Sequence, residues 1–89
     1  MARRKRKPRL VAVHWVDAHG TMEEEEVKPI NALTFGFITE DADDHLTISG
    51  EIFEDGSHRN RTAIPKGMIR AVIAQPMRLP DEFKGWEAS

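Results

Sequence analysis

HLTISGEI, residues 45–52, decides the fold of this chain. Leu46, Ile48, Gly50 and Ile52 alternate with His45, Thr47, Ser49 and Glu51, the two-residue period of a strand with one buried and one solvated face. Downstream, Asp55-Gly56 is a favoured pair for a tight hairpin turn. Arg59 to Ile64 then returns as a second strand, with Thr62 and Ile64 on one face and Arg59 and Arg61 on the other. Upstream, across the acidic turn Glu40 to Asp44, Leu33, Phe35 and Phe37 alternate with Thr34, Gly36 and Ile38, a half-buried strand running to Thr39. Its large apolar side chains are expected inside.

Working outward, Leu10 to Val16 is rich in branched and aromatic residues and reads as the first strand. Val11, Val13 and Trp15 share one face; Ala12, His14 and Val16 share the other. Asp17 to Gly20 ends it. The segment Thr21 to Pro29 holds four consecutive glutamates, Glu23 to Glu26. It reads either as a short helix begun by Thr21 with Glu24 in a capping box or as a solvated loop, and Pro29 ends both. Pro65-Lys66-Gly67 interrupts the chain before a fifth strand, Met68 to Ala74, where Ile69, Ala71 and Ile73 face together. Leu79, Phe83 and Trp86 form one apolar stripe if Pro80 starts a short C-terminal helix. Five short strands joined mostly by short turns predict an all-β fold, a small five-stranded antiparallel barrel whose closure removes exposed edges. The long connection after the first strand, the hairpin and the Ile-Pro break match an SH3-like barrel, in which a 3₁₀ turn separates the last two strands; a split β-meander is the alternative. The expected organisation is a flexible basic arm over 1–9, the barrel over 10–75 and the tail over 76–89.

Charge is divided sharply along the chain. Arg3, Arg4, Lys5, Arg6, Lys7 and Arg9 supply six of its thirteen basic residues, and the other 80 residues carry seven basic against fifteen acidic side chains, a net of −8. Such a block repels itself and has too little apolar surface to offset the entropy of ordering. Its natural partners are phosphates or acidic surfaces. The absence of cysteine excludes disulfides, thiolate metal sites and cysteine nucleophiles. No apolar run has the length of a membrane span, and the basic start lacks the apolar core of a signal peptide, so a soluble, unexported chain with no membrane partner is expected. Only six aromatic residues are present, few for single-strand binding by stacking.

Three pieces together resemble a group of small, largely uncharacterised proteins of tailed bacteriophages and prophages: Val13-His14-Trp15-Val16-Asp17-Ala18, Thr34-Phe35-Gly36-Phe37-Ile38 and Ile64-Pro65-Lys66-Gly67-Met68-Ile69. The resemblance covers Leu10 to Ile73. It implies an SH3-like fold and a phage setting, in the infected bacterial cytoplasm or the virion, and no particular activity.

The candidate nucleic-acid-binding residues are the six arm cations, with Arg59, Arg61 and Arg70 as a second basic group on the last two strands. Phe53, whose face-mates are His45, Thr47, Ser49 and Glu51, is a candidate partner contact, as are Phe83 and Trp86 if the tail leaves them exposed. His14, Asp17 and His19 are close enough to suggest a metal set, but they fall on a strand face and in a turn, and ordinary structural roles are expected. No nucleophile–base pair or phosphate-cradling glycine loop is apparent. A non-enzymatic module with no metal and no cofactor is expected, engaging nucleic acid or a nucleoprotein complex through the arm. The alternatives are a virion or other protein-interaction component docking through the barrel, and a host-directed inhibitor that counters defence through its acidic loops or sequesters a nucleotide. Partner identity and oligomeric state stay open.

Overall fold

The computed structural model describes residues 7–19 and 28–86; Arg3 to Arg6, and the Thr21–Glu26 stretch with its capping-box reading, lie outside them. Five strands, β1 (Leu10–His19), β2 (Lys28–Asp41), β3 (His45–Ile52), β4 (His58–Pro65) and β5 (Ile69–Ala74), form one antiparallel sheet in the order β4-β3-β2-β1-β5. A 3₁₀ turn, Lys66–Met68, joins β4 to β5 at the Ile-Pro break. Among the described residues no ladder joins β4 to β5, so the sheet is open, with those two strands as its edges. The tail carries a single 3₁₀ turn, Asp81–Phe83, in place of the expected short helix; Gly85, a poor helix former, follows within two residues of it.

β1 and β2 are longer than their apolar patterns suggest. Asp17, Ala18 and His19 pair with Ile30, Pro29 and Lys28, extending the two strands as a ribbon beyond the rest of the sheet. Pro29 thus lies within β2 instead of ending the preceding segment. Only β1 flanks β2 there, and a proline is tolerated where a strand has a neighbour on one side.

The core face is set by register. Val11 pairs with Gly36, and Val13 with Thr34; Ile38 pairs with Ile48; Leu46 pairs with Ile64. Val11, Val13, Leu46, Ile48 and Ile64 form the buried cluster, with Trp15, Ile38 and Ile69 packed against it. The Trp15 indole donates from Nε1 to Thr34 Oγ1 at 2.9 Å, so its polar atom is satisfied at the core's margin.

This register inverts the expected orientation of β2. Leu33, Phe35 and Phe37 share a face, but it is the outer one: Phe35 pairs with Ala12 and is 60% exposed, and Leu33 is 54% exposed. The inner positions go to Thr34, Gly36 and Ile38, and at Gly36 β3 passes too close for any side chain. A Cβ on Gly36 would lie 2.6 Å from Ile48 Cγ2 and 2.6 Å from the Ser49 carbonyl oxygen. A second correction concerns β5. Ile69 pairs with Trp15 but Ala71 pairs with His14, so Arg70 is an extra residue in a bulge. That bulge puts Ile69 on the core side while Ala71 and Ile73 face outward.

The β3–β4 hairpin loop is one residue longer than an Asp-Gly pair alone implies and begins at Glu54. Phe53 N–H donates to the Ser57 carbonyl (2.8 Å) and Gly56 N–H to the Phe53 carbonyl (3.0 Å), with Gly56 at φ 94°. Such a three-residue loop ends on a left-handed residue, which glycine adopts without a Cβ penalty. Asp55 Oδ1 accepts from Ser57 N–H and Oγ–H, and these bonds, the hydroxyl's foremost, hold the Asp55 carboxyl below its ordinary range.

Candidate functional site

The outer side of the β2–β3–β4 region is polar, and its chemistry follows from two backbone irregularities. Ile38 pairs with Ile48 and Glu40 with Thr47, leaving Thr39 as the extra residue of a bulge. Two consecutive residues, Thr39 and Glu40, therefore line one groove, which regular alternation forbids. In β4, Asn60 has φ 61°, a left-handed value that asparagine tolerates better than most residues. The strand's alternation breaks there, and His58 lines the same groove as Arg61, three positions away.

The groove has a volume of about 360 Å³ and is lined by Thr39 and Glu40 of β2, His45 and Thr47 of β3, and His58, Arg61 and Ala63 of β4. Beneath it lies a buried hydroxyl chain. Thr39 Oγ1 and Ser49 Oγ are 2.6 Å apart, and Ser49 Oγ is 3.0 Å from His58 Nδ1. Ser49 is fully buried and Thr39 and Thr47 nearly so; the Thr39–Ser49 bond and the bond from Thr47 to Glu40 satisfy hydroxyls that would otherwise be costly to bury. The Ser49–His58 pair resembles a nucleophile and base by distance alone. With Ser49 fully buried, it is a structural link and not an attacking group.

On the acidic side, His45 bridges two carboxylates. Its Nε2 is 2.9 Å from Glu40 Oε1 and its Nδ1 2.7 Å from Asp44 Oδ1, while Thr47 Oγ1 donates to Glu40 Oε1 at 3.1 Å. The Glu40 bond, then the Asp44 bond, raises the His45 pKa above its ordinary 6.5; the reciprocal bond from His45 is the main cause holding Asp44 below 3.8. Lys66 Nζ bonds Asp41 beside this cluster.

The basic candidates separate. Arg59 and Arg61 stand in register with Glu51 and Ser49 on β4, whereas Arg70 lies on β5 at the opposite edge of the sheet. Arg59 is engaged: its Nη2 is 2.9 Å from Glu51 Oε2, and its guanidinium lies 5.3 Å from the centre of the Phe53 ring. Arg61 has no hydrogen bond or ion pair among the described residues, and it alone of these three lines the groove. Of the arm, Lys7, Pro8 and Arg9 are described. Pro8 is buried, and the Arg9 carbonyl accepts from Ile38 N–H at 3.0 Å. The arm is thus rooted beside the residue that precedes the Thr39 bulge.

Of the three aromatic partner candidates, Phe53 is 39% exposed and Trp86 only 3%, with Phe83 half-buried. Burial commits the Trp86 ring to packing within the chain, although its Nε1 has no hydrogen-bond partner among the described residues. His14 Nε2 bonds Asn31 Oδ1 at 2.7 Å, and among the described residues no group of three metal-ligating side chains assembles. The groove was not legible in the sequence as a site. Its only trace was the polar face-mates His45, Thr47, Ser49 and Glu51, and the two irregularities that complete it leave no clear mark on a two-residue pattern. No family model matches this chain, and no curated protein or solved structure is significantly similar to it.

Proposed function

We propose that this chain is a phage-type, non-enzymatic binding module, an SH3-like small barrel whose basic arm engages nucleic acid or a nucleoprotein complex. The fold reading is supported by the strand order and by the 3₁₀ turn between β4 and β5. It is supported also by Ile64 of β4 and Ile69 of β5 meeting one core cluster, so the two edges converge although no ladder joins them. One observation carries the functional reading: six cations in nine residues are tethered at Pro8 and Arg9 to an otherwise acidic body. A tethered arm of this kind neutralises phosphates without reading sequence. The phage setting, in the infected bacterial cytoplasm or the virion, rests on the sequence resemblance.

The test is full-length protein in which Arg3, Arg4, Lys5, Arg6 and Lys7 are all replaced by glutamine, compared with the native chain for binding labelled duplex DNA and RNA by fluorescence anisotropy. Binding of the native chain should weaken steeply between about 50 and 200 mM salt, and the variant should flatten the log K against log salt slope by up to about four. Equal affinities and equal slopes would sink the reading.

A second reading, docking on a protein subunit, is favoured by one observation. Leu33, Phe35 and Ile73, all about half exposed or more, lie on the outer face across β2 and β5. Co-sedimentation with virions that Phe35→Ser abolishes would select it over the first.

A further inference from the structure

The groove between β2 and β4 holds features that neither the fold nor the arm explains. Arg61 stands at its wall with no partner among the described residues, although Glu51 lies on the same strand face and is taken up by Arg59 and by Asn60 Nδ2 instead. His58 beside it is held by Nδ1 through the buried Ser49 hydroxyl, which leaves Nε2 without a partner among the described residues. The hydroxyl chain behind it can run in the direction Thr39 to Ser49 to His58. In that direction Nδ1 accepts, and the imidazole carries its proton on Nε2. An oriented imidazole N–H next to an unpaired guanidinium is a donor pair suited to an oxyanion, and the planar fork of arginine matches phosphate oxygens in particular.

We infer that the groove is a phosphoryl-binding site in which Arg61 and His58 hold the phosphate oxygens and Ser49 with Thr39 fix the His58 ring. The opposite wall fits the same ligand class. Glu40 stands there, bonded to His45 and Thr47 and engaged beyond these two bonds; its carboxylate repels an isolated anion, whereas a nucleoside attached to the phosphate brings neutral hydroxyl and amine donors toward it. The volume of about 360 Å³ is at the small end for ligand sites, the scale of one nucleotide unit. The phosphoryl group comes either from a free nucleotide or from a nucleic-acid backbone. The second source rests on the arm-based reading above; the groove contact itself does not.

The experiment is a titration of full-length, ¹⁵N-labelled protein followed by NMR at the His58 and His45 rings and the Arg61 side chain. The probes are inorganic phosphate, a nucleoside 5′-monophosphate and a short single-stranded oligonucleotide without terminal phosphates. Saturable shifts at His58 and Arg61 are expected, with the monophosphate bound more tightly than inorganic phosphate. Arg61→Gln should weaken binding about tenfold or more, the effect of removing a charge-assisted bond. Arg61 is exposed and unpaired, so this variant should stay folded, and its unchanged amide spectrum would show that. Shifts with the monophosphate alone identify a nucleotide site; shifts with the oligonucleotide as well identify a backbone site. The glutamine-substituted arm should leave the monophosphate titration unchanged, so loss of arm-dependent nucleic-acid binding and loss of the groove site are separate outcomes. The inference is overturned if no probe shifts His58 and Arg61, or if Arg61→Gln binds as the native chain does.

Discussion

Adding one methyl group at Gly36 should do more damage than the same change at either of two other glycines, and the reason is geometric. A Cβ there would sit 2.6 Å from Ile48 Cγ2, 2.6 Å from the Ser49 carbonyl oxygen and 3.2 Å from its carbon. Carbon pairs rest at about 3.5–4.0 Å, so β3 must retreat from β2 by about 1 Å. Ile48 could turn aside, but the Ser49 carbonyl is backbone and cannot. Overpacking of this kind costs about 1–3 kcal/mol, and Gly36→Ala belongs at the upper end because the ladder pairs Phe37–Ser49 and Ile38–Ile48 move with the strand. For a domain of this size that lowers Tm by roughly 10–20 °C. At Gly50 the added Cβ meets the Asn60 Cβ at 3.3 Å, and at Gly67 it meets nothing within 4 Å. Gly50→Ala should therefore cost about 1 kcal/mol or less, and Gly67→Ala should be neutral or stabilise by about 0.4–1 kcal/mol through the unfolded chain. Urea unfolding of the three variants at constant m-value measures the order. A Gly36→Ala chain as stable as Gly67→Ala would refute the close crossing of β2 and β3, and with it the account of why Phe35 faces outward.

Two further outcomes follow from the same geometry. Phe35→Ser should cost about 1 kcal/mol or less, because the ring is already largely in water, whereas Ile64→Ala, at a fully buried position, should cost about 2–5 kcal/mol; calorimetric Tm values compare them, and the reverse order would put Phe35 in the core. The His45 bridge makes stability pH-dependent. Its folded pKa is raised, so its contribution is complete below the ordinary value of 6.5 and is lost as pH rises through the folded value. Asp44, whose folded pKa is lowered, contributes fully above 3.8 and loses that contribution as pH falls through its folded value. Both are present together between 3.8 and 6.5; Tm should rise as pH falls from about 8 to about 6, and His45→Gln should flatten that rise.

The elements themselves were largely legible. HLTISGEI reads as a strand and is one; Thr62 and Ile64 stand opposite the core residues Ile48 and Leu46, as their spacing implies; the Ile-Pro break holds the 3₁₀ turn. The ends of β1 and β2 were not legible, because Asp17, Ala18, His19 and Lys28 carry no strand signal and are extended only by pairing with each other. The groove was still less so. Thr39 and Asn60 are unremarkable letters until a bulge and a left-handed dihedral re-aim their neighbours.

The amino-acid sequence by itself determined the strand periodicity, the turn positions and the separation of a cationic arm from an acidic body, since each depends on residues near one another in the chain. It also determined that Leu33, Phe35 and Phe37 share a face. Only tertiary structure decided which face lies inside. Alternation is symmetric between the two sides of a strand, and the choice was made by register with β1 and by the close passage of β3 over Gly36. The same contacts, acting across long stretches of chain, brought Arg61 and His58 to one groove, with Ser49 buried behind His58.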